Sequence, residues 1–441
     1  MLLAMATLYA PAQTNGSNSP YSRFGLGSLK DQSQGFNKAM SGVALGFRDG
    51  NRINMQNPAS YSAIDSLSFI FDVGLTLQNV NFKSGGNSIN AHNTTLDYIN
   101  AGFRLCPGLG FSFGFIPFSS IGYDFSESKY LGDHFNSGST MTYTNSYTGD
   151  GGLHEVYVGL GWNPFADFSV GANFGYVWGN YAQNITQTFY EDGTATSASN
   201  GLRRQIEADI SSYKIDIGVQ YPIKIGKNDV LTPGITYGIG HAINSPAHYY
   251  SYVANGDTTK SVIEKAFELP TSFGAGLAWA HKEQWKVGLD VTHQRWGECR
   301  VPQIINDKFV STTENYMNRT KIVIGGEFQP DRYSSKYLRR VQYRMGASFS
   351  TPYYKVNGHN GPREFGVTAG FALPVSNNIN NRSVVNIAFQ WGRSVPSVSS
   401  LITENYLRLN VGITFNERWF MKWKIPVSYT HLRAHETRRH L

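Results

Sequence analysis

Apolar and polar residues alternate with a period of two along most of this chain. In LSFIFDVGLTL, Leu67, Phe69, Phe71, Val73, Leu75 and Leu77 share one face, while Ser68, Ile70, Asp72, Gly74 and Thr76 share the other. The same pattern returns in Phe168–Trp178, Tyr213–Tyr221, Trp285–Val291, Phe365–Leu373, Val385–Trp391 and Leu407–Phe415. It predicts fourteen strands, at roughly 67–82, 93–106, 108–118, 153–163, 167–190, 205–221, 229–243, 268–281, 284–296, 318–329, 339–350, 363–374, 382–393 and 404–415.

Three features of these strands point to a transmembrane β-barrel rather than a sandwich. Links after even-numbered strands are short, none longer than nine residues, whereas links after odd-numbered strands run to ten or more, as at 119–152 and 244–267. Short periplasmic turns and long outer loops are the signature of outer-membrane barrels. The apolar rows contain no Asp, Glu, Lys or Arg, as a lipid-facing surface requires. Trp162, Trp279 and Trp285 fall at one inferred rim, and Trp178, Trp296 and Trp391 at the other, as two aromatic girdles would. The expected fold is therefore all-β: a 14-stranded antiparallel transmembrane barrel over residues 67–425, in the outer membrane of a Gram-negative bacterium.

Composition agrees with that picture. Charged residues make up 16%, aromatics 14%, and there are 46 Gly. Mean hydropathy is −0.32, and no mature segment is apolar for long enough to form a membrane helix. The net charge of +7 includes no basic run with interleaved aromatics, so nucleic acid is not an expected partner. Cys106 and Cys299 are placed at opposite ends of the barrel and are expected to stay unpaired.

Both ends of the chain stand apart. MLLAMATLYAPA, residues 1–12, reads as the remnant of a signal peptide. Residues 427–441, VSYTHLRAHETRRHL, resemble a translated sequencing adapter and are set aside; His431, His435 and His440 are not read as a metal site. Between the leader and the first strand, residues 13–66 lack strand periodicity and are rich in Gly, Ser, Asn and Ala. Such a segment is either a disordered tail or a plug folded into the barrel lumen.

Within it, KAMSGVALGFRDGNRINMQNPAS resembles the N-terminal hatch of the long-chain fatty-acid transporter (FadL) family, which also contains toluene and xylene transporters. The resemblance covers the hatch motif, the strand number and the approximate length. It implies a lumen plugged by residues 13–66, with Asn57, Pro58 and Ala59 as the hatch motif, and an outer-membrane passive transporter for hydrophobic or amphipathic small molecules. Ligands would be captured at the outer loops and leave sideways into membrane lipid through a kinked strand. Gly110, Gly114 and Pro117 mark the third strand as the candidate for that kink, since proline cannot donate to a sheet ladder; Pro117 ending the strand is the other reading. The same group includes PorV-type shuttle barrels of type IX protein secretion, so a role beside secretion machinery is an alternative, as is a general diffusion porin.

Strand parity turns Asp72, Arg104, Lys214, Asp216, Lys286, Asp290, Glu327, Arg344 and Arg408 into the lumen. Nearly balanced signs favour a salt-bridge lattice holding plug to wall; an uncancelled cation among them could hold a carboxylate headgroup. Neither a nucleophile elbow, HExxH, a P-loop nor Cys/His zinc spacing occurs. No catalytic residue, metal or cofactor is expected. The acidic scatter Asp124, Glu127, Asp133 and Asp150 lacks the ordered spacing of a calcium loop.

Overall fold

Strands with one apolar face in lipid must bury every backbone polar group in a ladder, and a sheet closed on itself leaves no edge. The computed structural model describes residues 18–418 apart from 85, 134–139, 166, 196–201, 254–255, 257, 306–307, 376–381 and 399–400; the leader and the tail lie outside the described residues. The first half of the barrel comprises β1 (Ser68–Ser84), β2 (Asn87–Cys106), β3 (Leu109–Pro117, continued after Phe118 as Ser119–Asp133) and β4 (Thr140–Phe165). Next come β5 (Phe168–Glu191), β6 (Arg203–Gln220) and β7 (Asp229–Gly238). The second half comprises β8 (Ser272–His281), β9 (Trp285–Gln294), β10 (Arg319–Phe328), β11 (Gln342–Ser350), β12 (Arg363–Pro374), β13 (Val384–Val395) and β14 (Thr403–Arg418). Each strand pairs antiparallel with the next, and β14 pairs back onto β1 from Ser68↔Arg418 to Lys83↔Thr403, closing a barrel of fourteen strands.

The burial pattern is the reverse of a soluble protein's. The apolar rows face outward, with Leu75 48% and Trp391 49% exposed, whereas Asp72, Thr76, Asn100, Thr368 and Asn410 are buried inside. Residues 33–64 of the N-terminal segment are almost wholly buried against that inner face. Inward glycines make room for them. A Cβ at Gly234 would collide with the Leu45 carbonyl, and one at Gly171 with the backbone of Pro58 and Ala59.

Several expected boundaries need correction. β1 and β2 meet in a tight hairpin at Gly86 (φ +92°), with Ser84 paired to Asn87, so the first outer link is not a long loop. In the predicted loop 119–152, residues 119–133 and 140–152 are instead strand, the outward run of β3 pairing with β4 down to Asp133↔Thr140. Link 244–267 holds a further hairpin, Ala247–Tyr252 with Thr259–Ile263, that adds to β6. Link 329–341 exceeds nine residues and contains a helical turn, Tyr337–Arg340. Polar residues break up the strands among these stretches, and the alternation that remains, Ile121, Tyr123 and Phe125, is too short to read as a strand. Trp296 is no girdle residue: it is fully buried in the roof of outer loops, 4.8 Å centroid to centroid from Tyr353. Cys106 is exposed, Cys299 is buried, and both are free.

Candidate functional site

The segment 18–66 follows the barrel wall from the roof to the opposite rim, and different chemistry holds it at each level. At the lower rim a single turn, Pro58–Ala63, is capped by Asn57, whose Oδ1 accepts from the Ala59 amide at 3.2 Å. Pro58 occupies the first turn, where no amide hydrogen is needed. Asn57 Nδ2 donates to the carbonyls of Leu45 at 2.8 Å and Val219 at 3.3 Å, tying the turn to the segment and to β6. Ala59 is fully buried beneath the wall. Tyr61 donates to Asn173 Oδ1 at 3.0 Å, and Asn173 Nδ2 donates to the Met55 carbonyl at 2.8 Å.

Above this turn lies a charged network. Glu327 accepts from Arg344 Nε and Arg52 Nη2, both at 2.7 Å, and Lys286 Nζ meets Asp49 Oδ2 at 2.6 Å. Arg344 also donates to the Gly35 carbonyl at 3.2 Å and to Asn386 Oδ1 at 2.7 Å. Asp290 Oδ2 accepts the amides of Ala44 at 2.6 Å and Leu45 at 2.9 Å. Asp72 accepts from Thr414 at 2.9 Å and from Tyr98 at 3.3 Å. Lys214 lies 2.6 Å from Asp216 and 3.4 Å from Glu155. Arg104 is apart from all of these. A register shift between Arg104 and Cys106 at the end of β2 turns its Nε to the Cys106 carbonyl at 3.2 Å. Arg408 is also apart from the network, higher in the lumen, and its Nε donates to Gln78 Oε1 at 2.6 Å.

Sequence parity found wall residues but missed their partners Asp49 and Arg52, because a segment without periodicity gives no facing direction. Their only signal was their charge, which Arg48 beside them shares. Burial alone would raise the pKa of Asp49, but Lys286 and Arg52 outweigh it and hold the carboxyl far below its usual range.

At the level of Pro117 the wall changes. The β2–β3 ladder ends at Ile99↔Phe115, although β2 continues on β1 as far as Asn87 and β3 continues on β4 as far as Asp133. Phe118 breaks the run, its amide donating to the Leu153 carbonyl at 2.8 Å. The freed edge of β3 is taken by the N-terminal segment: Ser28–Leu29 pairs antiparallel with Ser119–Ser120, and the Lys30 amide donates to the Phe118 carbonyl at 3.0 Å. One turn of chain earlier, Ser22 Oγ bridges the amide and carbonyl of Gly122. Gly110 and Gly114 lie below this break. Gly110 lets the Tyr61 backbone close on β3, and Gly114 abuts Asn100 and Tyr157.

Beside residues 28–32 lies a cavity of about 370 Å³. Its walls are charged: Lys30, Asp31 and Lys38 from the segment, Asp97 from β2, Arg319 and Lys321 from β10, Glu364 from β12 and Arg408 from β14. Lys321 pairs with Asp31 at 3.0 Å and Lys38 with Asp97 at 3.2 Å. Burial pushes against ionisation of Asp31, yet Lys321 and Lys38 hold its pKa at about 2. Above the cavity, Tyr21, Leu26, Tyr123, Tyr181, Phe267, Trp296, Tyr353 and Tyr354 belong to one buried aromatic roof.

A family model described as BamG matches residues 1–426. No curated protein matches the sequence. Solved structures with a similar fold include the Pseudomonas putida toluene transporter TodX, at 15% identity and TM-score 0.53, covering 90% of this chain and 99% of that one. The Ralstonia pickettii toluene transporter TbuX gives 14% and 0.54, with 88% and 98% covered. A Pseudomonas aeruginosa FadL homologue gives 11% and 0.54, with 87% and 98% covered. At such identities the likeness shows the fold, which is that of FadL- and TodX-type barrels; the family model carries a different name.

Proposed function

The chain belongs to the BamG family, and on that premise and its fold we propose that it is an outer-membrane barrel admitting amphipathic or hydrophobic small molecules. Residues 18–66 act as a hatch. The observation that supports this best is the break in the wall above Ile99↔Phe115, at the outer end of the apolar rows, with a two-residue strand of the hatch seated on the freed edge. A ligand caught beneath the roof would displace residues 28–32 and leave through that break into membrane lipid. Its passage would be driven by burial of apolar surface, about 25 cal/mol per Å². The charged cavity favours amphipathic ligands over plain hydrocarbons, because uncharged apolar surface gains nothing from displacing water from ion pairs. It is a carrier of molecules and not an enzyme.

The test is to lock the strap. Lys30 bonds Phe118, so by alternation Leu29 and Ser119 form the close-facing, non-hydrogen-bonded pair, suited to a disulfide. The Leu29→Cys, Ser119→Cys protein in proteoliposomes should lose octanoate uptake when oxidised and regain it on reduction. Equal uptake in both states would overturn the lateral route.

A second reading is an accessory barrel that engages another protein, such as a secretion component. It draws on the long outward sheet, whose β3 edge beyond Gly122 has no strand partner among the described residues. Stoichiometric co-purification with one defined partner, together with no uptake, would favour it. A general diffusion porin fits less well, since the hatch fills the lower lumen.

A further inference from the structure

The link between β10 and β11 departs from the plain turns at the lower rim. Residues 329–341 read QPDRYSSKYLRRV, with Arg332, Lys336, Arg339 and Arg340 against the single carboxylate of Asp331. The chain is folded on itself here. The Asp331 amide donates to the Arg339 carbonyl at 2.9 Å, and Gln329 Nε2 to the Arg340 carbonyl at 2.8 Å. Asp331 Oδ1 accepts from the Tyr333 amide at 3.0 Å. Two tyrosines fix where the link lies. Arg344 is buried in the lumen, so its neighbour Tyr343 faces outward, and the Tyr343 hydroxyl donates to the Leu338 carbonyl at 3.1 Å. Tyr337 donates to the carbonyl of Pro374, the last residue of β12, also at 3.1 Å. The helical turn Tyr337–Arg340 is therefore clamped to the outer side of the wall.

What the turn displays there is amphipathic. Leu338 is 71% exposed and Tyr333 66%. Beside them stand the lowest rings of the apolar belt, Trp285 on Phe328 at 4.1 Å and Tyr343 on Phe371 at 5.8 Å. Lys336 and Arg339 are exposed, Arg332 is half-buried, and none of the three forms an ion pair among the described residues. Water alone would accommodate the charges, but it gives no reason to hold a leucine out among them at the border of an apolar belt. A bilayer boundary does: an apolar side chain dips beneath the headgroups while long basic side chains stay at their level.

We propose that residues 331–340 form an interfacial clamp for anionic phospholipid, with Leu338 among the acyl chains and Arg332, Lys336 and Arg339 on the headgroups. Charge complementarity selects the occupant, since cations clustered at a lipid boundary favour an anionic headgroup over a zwitterionic one. The clamp rests on the reading that the apolar rows stand in a bilayer, and not on the passage of any ligand through the lumen.

The test is isothermal titration of the full-length protein in neutral detergent with two short-chain probes, dihexanoyl phosphatidylglycerol and dihexanoyl phosphatidylcholine. The first should bind about tenfold more tightly. The triple variant Arg332→Gln, Lys336→Gln, Arg339→Gln should bring the two probes to near equality, whereas Leu338→Ser should weaken both by a similar factor. Lys224→Gln with Lys227→Gln, on another link of the same rim, should leave the preference unchanged. In the unmodified protein, salt at about 1 M, where the screening length is about 3 Å, should erase most of it; that arm needs no variant to fold. Equal affinity for the two lipids, or an unaltered preference in the triple variant, overturns the clamp. Displacement of phosphatidylglycerol by inorganic phosphate would make this a site for free anions and overturn the lipid assignment. Octanoate uptake by the triple variant should be normal; failed uptake in the unmodified protein would sink the transport reading alone.

Discussion

Two stretches of the N-terminal segment, only a few residues apart, are held by opposite means. Residues 33–64 are buried and cross-linked to the wall by side chains: Arg52 and Arg344 on Glu327, Asp49 on Lys286, two amides on Asp290, and Asn57 on two carbonyls. Residues 28–32 are half-buried beside a cavity, and a two-residue ladder on the edge of β3 is their main attachment to the wall. The lower stretch cannot shift without stranding charges in a lumen shut off from bulk water. The upper one exchanges a few backbone bonds, each worth about 1 kcal/mol net, and one partly exposed ion pair, Asp31–Lys321. Above it the chain is fixed again, by Tyr21 on the Ile402 carbonyl at 2.6 Å and Tyr353 on the Phe24 carbonyl at 3.0 Å. The segment is thus a strap between two anchors, and the strap lies where the β2–β3 ladder has ended.

The bluntest way to break this comparison is to remove both stretches. Deleting residues 13–60 should leave the closed strand ladder intact and open an ion-conducting pore in planar bilayers, where the full chain stays nearly silent. An equally high conductance before and after deletion would mean the lumen was never blocked. Next in size is the lower anchor alone. Glu327→Ala strands Arg52 and Arg344 without their shared carboxylate, at a cost of about 3–5 kcal/mol. The urea midpoint of unfolding should fall accordingly. Gly234→Leu attacks the same anchor sterically against the Leu45 carbonyl. It should cost about 1–3 kcal/mol or expel the N-terminal segment. A Ser120→Pro change, by contrast, removes one amide from the strap's ladder. It should shift the urea midpoint little and raise octanoate uptake, because the strap is loosened without stranding a charge. Similar losses of stability from Glu327→Ala and Ser120→Pro would erase the distinction.

How much of this was legible beforehand follows from the same physics. All fourteen barrel strands are visible in the sequence because lipid on one side imposes an uninterrupted apolar row, as in Leu75, Leu77 or Val367. Where strands rise above the lipid, as in Ser119–Asp133, Ser stands on both faces and Glu127 and Lys129 cut short the row Ile121, Tyr123, Phe125, so the strand reads as loop. The wall charges Lys286, Glu327 and Arg344 were legible from parity alone. Their partners Asp49 and Arg52 were not, since irregular backbone has no parity. Arg408 was legible only as one of nine charges; that it sits apart from the network, on Gln78 of β1, was not. Inward glycines such as Gly171 and Gly234 looked like barrel composition, whereas they stand where Pro58, Ala59 and Leu45 of the N-terminal segment meet the wall.

A small effect gives the sharpest comparison, because Asn57→Ala acts on the lower anchor through one side chain without touching a charge. Asn57 does three jobs at once: it caps the turn Pro58–Ala63, and its amide nitrogen ties that turn to Leu45 and to Val219 on β6. Asn57→Ala removes the cap, worth about 0.5–2 kcal/mol, and leaves the Leu45 carbonyl with Gln220 Nε2, which already donates to it at 2.9 Å. The loss should therefore stay near the value of the cap alone, well under that of Glu327→Ala. Asn57→Asp separates the two roles. An aspartate keeps an acceptor for the Ala59 amide but replaces the donor with an anion facing two carbonyls, so it should destabilise more than alanine does. If alanine proves the worse of the two in urea unfolding, capping dominates, and the tie between turn and wall contributes little to holding the N-terminal segment.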